Sequence, residues 1–188
     1  MDQVNDILSM PDATSWEAWL ADHHGRSDGV WVKIAKKGSG RTSVAIVDAL
    51  DVALCYGWID SHRRSCDRDH YLQRYSPRRP KSTWSQVNVA KAEALIAAGR
   101  MREPGFAAIR AAQADGRWDA AYASQRDATV PPDLADALAA DAGAHAAFER
   151  LDRTERYALL LRLMKARTPS SRAVQLERVL ASLASDSP

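Results

Sequence analysis

Between Gln73 and Asn88 the chain reads QRYSPRRPKSTWSQVN. Arg74, Arg78, Arg79 and Lys81 crowd together, Pro77 and Pro80 interrupt them, and Ser82, Trp84, Ser85 and Asn88 follow at once. The planar fork of arginine suits bidentate recognition of phosphate or carboxylate. Flanking prolines fix the backbone, so the side chains arrive already aimed. A helix starting near Ser82 would add hydroxyls and free backbone N–H groups, completing a cradle for a compact anion. The opposing reading is a solvated hairpin face whose arginines pair with Asp60, Asp67 and Asp69, close by in sequence. Surface ion pairs of that kind are common and weak.

Tryptophan supplies the second chemistry. Trp58 in GWID and Trp84 in STWS could floor a ligand cleft by stacking on a base, a sugar or a guanidinium, and Trp118 is a third large indole. Equally, each can anchor a small sheet against its helices, with the indole N–H taking an internal acceptor. In a regular strand Asp60 shares a face with Trp58. From there it can orient Arg74 or Arg78 across a hairpin, or serve as a general base. The candidate ligand-binding set is therefore Trp58, Asp60, Arg74, Arg78, Arg79, Ser82, Trp84 and Asn88.

Nucleophiles and metal ligands are poorly supported. Ser82, Thr83 and Ser85 read as helix caps, and Cys55 closes an apolar helix where burial raises a thiol's pKa and leaves it inert. The pair His23 and His24 has no thiol or carboxylate at ligand spacing, so no metal is expected. Without a glycine-rich phosphate loop or dinucleotide fingerprint, no cofactor is expected either.

Charge narrows the partners. The 188 residues carry a formal net charge of only +2, which excludes a molecule that is basic throughout. From Asp60 to Lys81, seven Lys or Arg face three Asp, a local balance of +4. Cationic character is thus concentrated on the motif. A small anionic ligand fits that better than a long nucleic acid, whose binding would call on a wider basic surface. Cys55 and Cys66 are too few for a disulfide framework and read as reduced thiols. The first residues lack a basic and apolar leader, and no stretch has the length of a membrane span. A cytoplasmic protein without membrane insertion is the expectation.

The elements that must position these groups follow from periodicity. After a loose lead-in of about ten residues, Thr14 and Glu17 form a capping-box pattern for a helix bearing Trp16, Trp19 and Leu20. HHGRSDG is a turn, and Val30, Val32 and Ile34 alternate along a half-buried strand. Ser43 caps a helix to about Tyr56, with Val47, Leu50 and Leu54 on one face and Gly57 at its end. Trp58–Ser65 and His70–Tyr75 form a hairpin across the CDRD link. Every later periodic segment is helical, beginning with a second capping-box pattern at Thr83 and Gln86. The fold class is α+β: a small, mainly antiparallel three-stranded sheet covered by helices, then a helical C-terminal part. PPD at Pro131 divides residues 1–130, the core with its motifs, from a helical extension over 131–188.

The succession VWVKIAKK, DALDVALCYGWIDS, YLQRYSPRRPKSTWSQVN, LIAAGRM, PGFAAI and DGRWDAAY resembles the YdeI or OmpD-associated, bacteriocin-protection family. The likeness runs from about Trp16 to Tyr122 and is looser in the tail. It implies a small α+β bacterial protein linked to tolerance of bacteriocins or cationic antimicrobial peptides, and it brings no established catalytic residues. Family members tend to end in a more basic segment than ARTPSSRAVQL, where Arg167 and Arg172 stand at matching places while Val174 and Gln175 replace a basic pair. The expectation is a binding or accessory protein with a cationic, Trp-lined cleft for a small anion. An enzyme using the same cleft and a nucleic-acid binder using the basic hairpin are the alternatives.

Overall fold

A computed structural model describes residues 7–26 and 28–185. The chain divides into two compact units, Met1–Ser82 with Asn88–Trp118, and Thr83–Val87 with Asp119–Pro188.

The first unit is built on a four-stranded mixed sheet of order β1-β2-β4-β3. Its strands are β1 (Ile7–Ser9), β2 (Val30–Ala35), β3 (Trp58–Ser65) and β4 (His70–Pro77). The antiparallel three-stranded expectation missed β1, which pairs parallel to β2 with Ile7 opposite Trp31. Three residues carry no readable alternation. The intervening helix α1 (Ala13–His23) supplies the crossover that a parallel pair requires. Ile7–Ser9 is thus a strand where a loose lead-in was expected; residues 1–6 lie outside the described residues, as does Ser27 of the expected HHGRSDG turn.

Caps differ from expectation in a consistent way. Asp12, not Thr14, caps α1 by accepting the Ser15 N–H at 2.7 Å. Helix α2 (Ile46–Cys55) starts after Ala45, because the Ser43 hydroxyl is instead accepting the Ala35 N–H at 2.8 Å. Its buried face is Ala49, Val52, Ala53, Leu54 and Cys55, whereas Val47 is exposed. Burial raises the Cys55 thiol pKa, as expected at the end of an apolar helix. Helices α3 (Gln86–Ala97) and α4 (Glu103–Ala114) follow, the latter with Pro104 in its first turn.

Aromatic packing joins α1 to the sheet. Trp16 lies 5.6 Å from Tyr75 and 6.4 Å from Trp58 between ring centroids, and Trp19 meets Trp58 edge-on. Trp16 donates its indole N–H to Ala49 O at 3.0 Å, tying α1 to α2.

The second unit is helical: α5 (Pro132–Ala140), α6 (Ala142–Arg150), α7 (Arg153–Met164) and α8 (Pro169–Ser185). Leu134, Leu138, Phe148, Leu163, Val179 and Leu183 form its core. Asp152 and Glu155 make a reciprocal capping box at the start of α7. Arg172, noted in sequence as a tail arginine, grips both carboxylate oxygens of Asp133 at 2.7 and 2.8 Å and donates to Leu163 O at 2.8 Å. It latches α8 to α5 and to the end of α7. No helix among the described residues is long and apolar enough to cross a membrane.

Candidate functional site

The sheet sorts the candidate residues onto two faces. Asp60 pairs with Tyr75 and Arg74 with Trp31, so Asp60 and Arg74 point to opposite sides. Asp60 therefore cannot orient Arg74, contrary to one of the two pairings the sequence left open. A bulge shifts the register between Asp60 and Arg63, placing Arg63 opposite Gln73 on the Asp60 face, where regular alternation would place His62 and Arg64. Gln73, almost fully buried, is satisfied by that kink: it donates to His62 O at 3.1 Å and accepts from Arg63 at 3.2 Å. Across the sheet, Arg64 lies 4.3 Å and Arg74 5.8 Å from the Trp31 ring, and Arg74 also donates to Asp28 O.

Trp58 belongs to the core. It is fully buried and spends its N–H on His24 O at 2.9 Å, so it offers a ligand neither ring face nor donor. Trp84 is buried as well, and its carbonyl accepts the Tyr122 N–H at 3.0 Å. The helix expected from Ser82 starts at Gln86, whose N–H goes to Tyr122 O at 2.9 Å. Thr83 is therefore not its N-cap, and one of the N–H groups proposed for an anion is occupied by backbone. Asn88 sits in the first turn of α3.

What remains together is the turn itself, fixed at three points. The Arg78 N–H bonds Gly57 O at 2.9 Å, the Ser82 N–H bonds Arg79 O at 2.9 Å, and Arg117 donates to Ser82 O at 3.0 Å. Arg117 was missed by sequence reasoning. Only 4% exposed, it also grips both carboxylate oxygens of Asp115 at 2.7 and 2.8 Å. Its signal is the DGRW segment, an Asp two residues before an Arg beside a glycine turn.

The carboxylates expected to absorb the arginines are engaged elsewhere. Asp67 meets Lys33 at 2.9 Å and His70 at 2.9 Å, and these two, Lys33 first, hold its pKa well below the usual carboxylate range. Asp69 pairs with Arg41 at 3.1 Å. Asp60 is left to the Arg78 side of the site. Burial raises its pKa, outweighing the opposing pull of Arg78 and Arg63. By contrast, Arg79 and Lys81 are exposed, and among the described residues neither side chain bonds a carboxylate. No group of three or more His, Cys, Asp or Glu among the described residues is gathered to hold a metal ion.

A pH prediction follows from Asp60. Its folded pKa lies above its unfolded one, so folding takes up a proton between the two values. Stability is then fullest below the unfolded value and falls as pH rises through the folded one. Asp60→Asn removes that fall, and its thermal midpoint is expected to match the parent in acid and exceed it at neutral pH. Midpoints followed by circular dichroism across that range check this; a variant less stable at neutral pH would show that the charged carboxylate is an asset.

Comparison with known proteins divides the chain along its length. No curated protein and no solved structure matches it. Residues 127–186 match a family model described as Bacteriocin-protection, YdeI or OmpD-Associated. That likeness was expected on Trp16–Tyr122 with a looser tail; it is the tail that carries the match. GWID and RYSPRRPKSTWS fall instead within residues 8–108, matched by the model of another family. With more than half its length inside that second match, the chain belongs to the family described as Domain of unknown function (DUF8412).

Proposed function

We propose that the chain is an accessory binding protein, of a bacteriocin-protection kind, that holds a compact anion on the turn Arg78–Ser82. One observation carries the reading: Arg79 and Lys81 present two cations on a backbone pinned at both ends, while Asp67 and Asp69 are neutralised by other partners. With the backbone pinned, only the two side chains must be ordered on binding, which lowers the entropy lost. Arg78, facing Asp60, anchors the turn, and Arg117 acts behind it as a positioning residue. The match of residues 127–186 supports the accessory role.

Calorimetric titration with inorganic phosphate, pyrophosphate and citrate at low ionic strength tests this. Pyrophosphate is expected to bind, and Arg79→Ala with Lys81→Ala to weaken it about tenfold or more, since charge-assisted bonds are lost. Both residues are exposed, so the melting temperature should hold. Arg117→Met keeps both cations but frees Ser82 O, and should weaken binding as well. Undetectable pyrophosphate binding, or unchanged affinity in the double variant, rejects the reading.

A second reading draws on the hairpin, where Arg63 lies 4.4 Å from the Tyr71 ring and Arg64 and Arg74 flank Trp31. Cations laid on aromatic rings are also a platform for single-stranded nucleic acid. An oligonucleotide affinity that falls steeply with salt, and that Arg63→Ala with Arg64→Ala removes, would favour it over the turn.

A further inference from the structure

In the helical unit, a cavity of 480 Å³ lies between the segment before α5 and helices α6 and α7. We propose that it binds a single amphipathic carboxylate, a medium-chain or aryl-alkyl acid, with the apolar part on Ala128, Val130 and Leu151 and the carboxylate on Arg153 and Arg126. This site shares no residue with the Arg78–Ser82 turn and does not rest on that reading.

Size and lining select the ligand class. The volume falls inside the range of about 300–1,000 Å³ typical of small-molecule pockets. Its apolar wall is completed by the Tyr157 ring, whose hydroxyl is already committed to Ala123 O at 3.0 Å. Every charged residue lining it is an arginine: Arg126, Arg153 and Arg156. A neutral hydrophobe would leave the Arg126 and Arg153 forks unused, and a bare phosphate would leave Val130 in water.

The three arginines have different tasks. Arg156 is structural, bonding Leu151 O at 3.0 Å, Glu149 O at 2.6 Å and the Glu149 carboxylate at 3.3 Å, with its guanidinium 5.3 Å from the Phe148 ring. Arg153 reaches only Gln125 O, at 3.5 Å, and keeps most of its donors. Arg126 pairs with Asp127 at 3.3 Å, but the arginine is 87% exposed and the pair is weakly held. A carboxylate in the cavity can accept from Arg153 in bidentate fashion and compete with Asp127 for Arg126. Its alkyl or aryl tail then covers Val130, which is 41% exposed, and the half-buried Ala128 and Leu151.

Calorimetry on the full chain with octanoate, 3-phenylpropionate, octan-1-ol and octylamine decides the matter. Octanoate and 3-phenylpropionate are expected to bind, octan-1-ol about tenfold or more weakly, and octylamine not at all. Arg126→Ala with Arg153→Ala should weaken octanoate by a similar factor. Arg153→Glu should abolish binding without loss of melting temperature, because an acid suits the first turn of α7 at least as well as a base. Arg79→Ala with Lys81→Ala should leave octanoate affinity unchanged. Absent octanoate binding at millimolar concentration, octan-1-ol binding as tightly as octanoate, or an unaffected Arg126/Arg153 double variant would each overturn the proposal. So would loss of octanoate binding in the Arg79/Lys81 variant, which would move the carboxylate to the turn.

Discussion

Trp58→Ala is expected to cost the first unit about 3–5 kcal/mol, the range for emptying a buried large aromatic site. The indole is fully buried, and it contributes in three ways at once. It fills the space beneath α1, makes edge contacts with Trp16 and Trp19, and satisfies His24 O at the end of that helix. Each edge contact is worth about 0.5–1.5 kcal/mol beyond the area buried. Against a total stability of about 5–15 kcal/mol for an ordinary domain, this is a large fraction. Trp58→Phe separates the parts: it retains most of the packing but leaves His24 O without its donor, for a smaller loss of about 1–3 kcal/mol. Urea unfolding followed by circular dichroism, with hydrogen exchange to locate the lost protection in β2 and β4, measures both. A loss under about 1 kcal/mol for Trp58→Ala would return the indole to the ligand-floor role that the sequence left open.

Gly57→Ala is the second large effect, expected at about 2–4 kcal/mol. Gly57 sits just past α2 at φ 72°, a left-handed conformation that a side chain strains, and an added Cβ would stand 2.7 Å from Pro104 O. Pro104 O is not a flexible tip that can swing away, because it is backbone in the first turn of α4. Gly99 is the matched control. It ends α3 in the same way at φ 66°, yet nothing lies within 4 Å of its added Cβ, so Gly99→Ala should cost only about 1 kcal/mol. The difference between the two urea midpoints isolates the clash with α4 from the backbone strain; equal losses would show that α4 yields. Because Gly57 O receives the Arg78 N–H, Gly57→Ala should also weaken pyrophosphate binding at the turn, whereas Gly99→Ala should not.

Much of the scaffold could be read from local pattern. The hairpin of β3 and β4, the glycine stop at Gly57 and the helical character of the segments that follow the hairpin all depend on spacing within a few residues. Caps were harder to place because several Ser, Thr and Asp side chains compete for the same backbone N–H groups. Asp12 outcompetes Thr14, and Ser43 is drawn to the strand N–H of Ala35. Strand β1 was illegible for a different reason: three residues show no period, and a parallel partner 24 residues on is not a local signal.

The residue types concentrated near the RRPK turn, the excess of positive charge there and the α+β order of elements are all legible along the chain. Tertiary structure alone decided which of those groups act together. The register of β3 on β4 put Asp60 and Arg74 on opposite faces, one bulge brought Arg63 to the Asp60 side, and packing against α1 took Trp58 into the core. Lys33 and Arg41, distant in sequence, captured Asp67 and Asp69, with His70 closing on Asp67 from three residues away, and a buried Arg117 pinned the turn from 35 residues away. The physical reason is that charge pairing and burial are settled by distance in space, and spacing along the chain fixes such distances only within a single helix turn or strand pair.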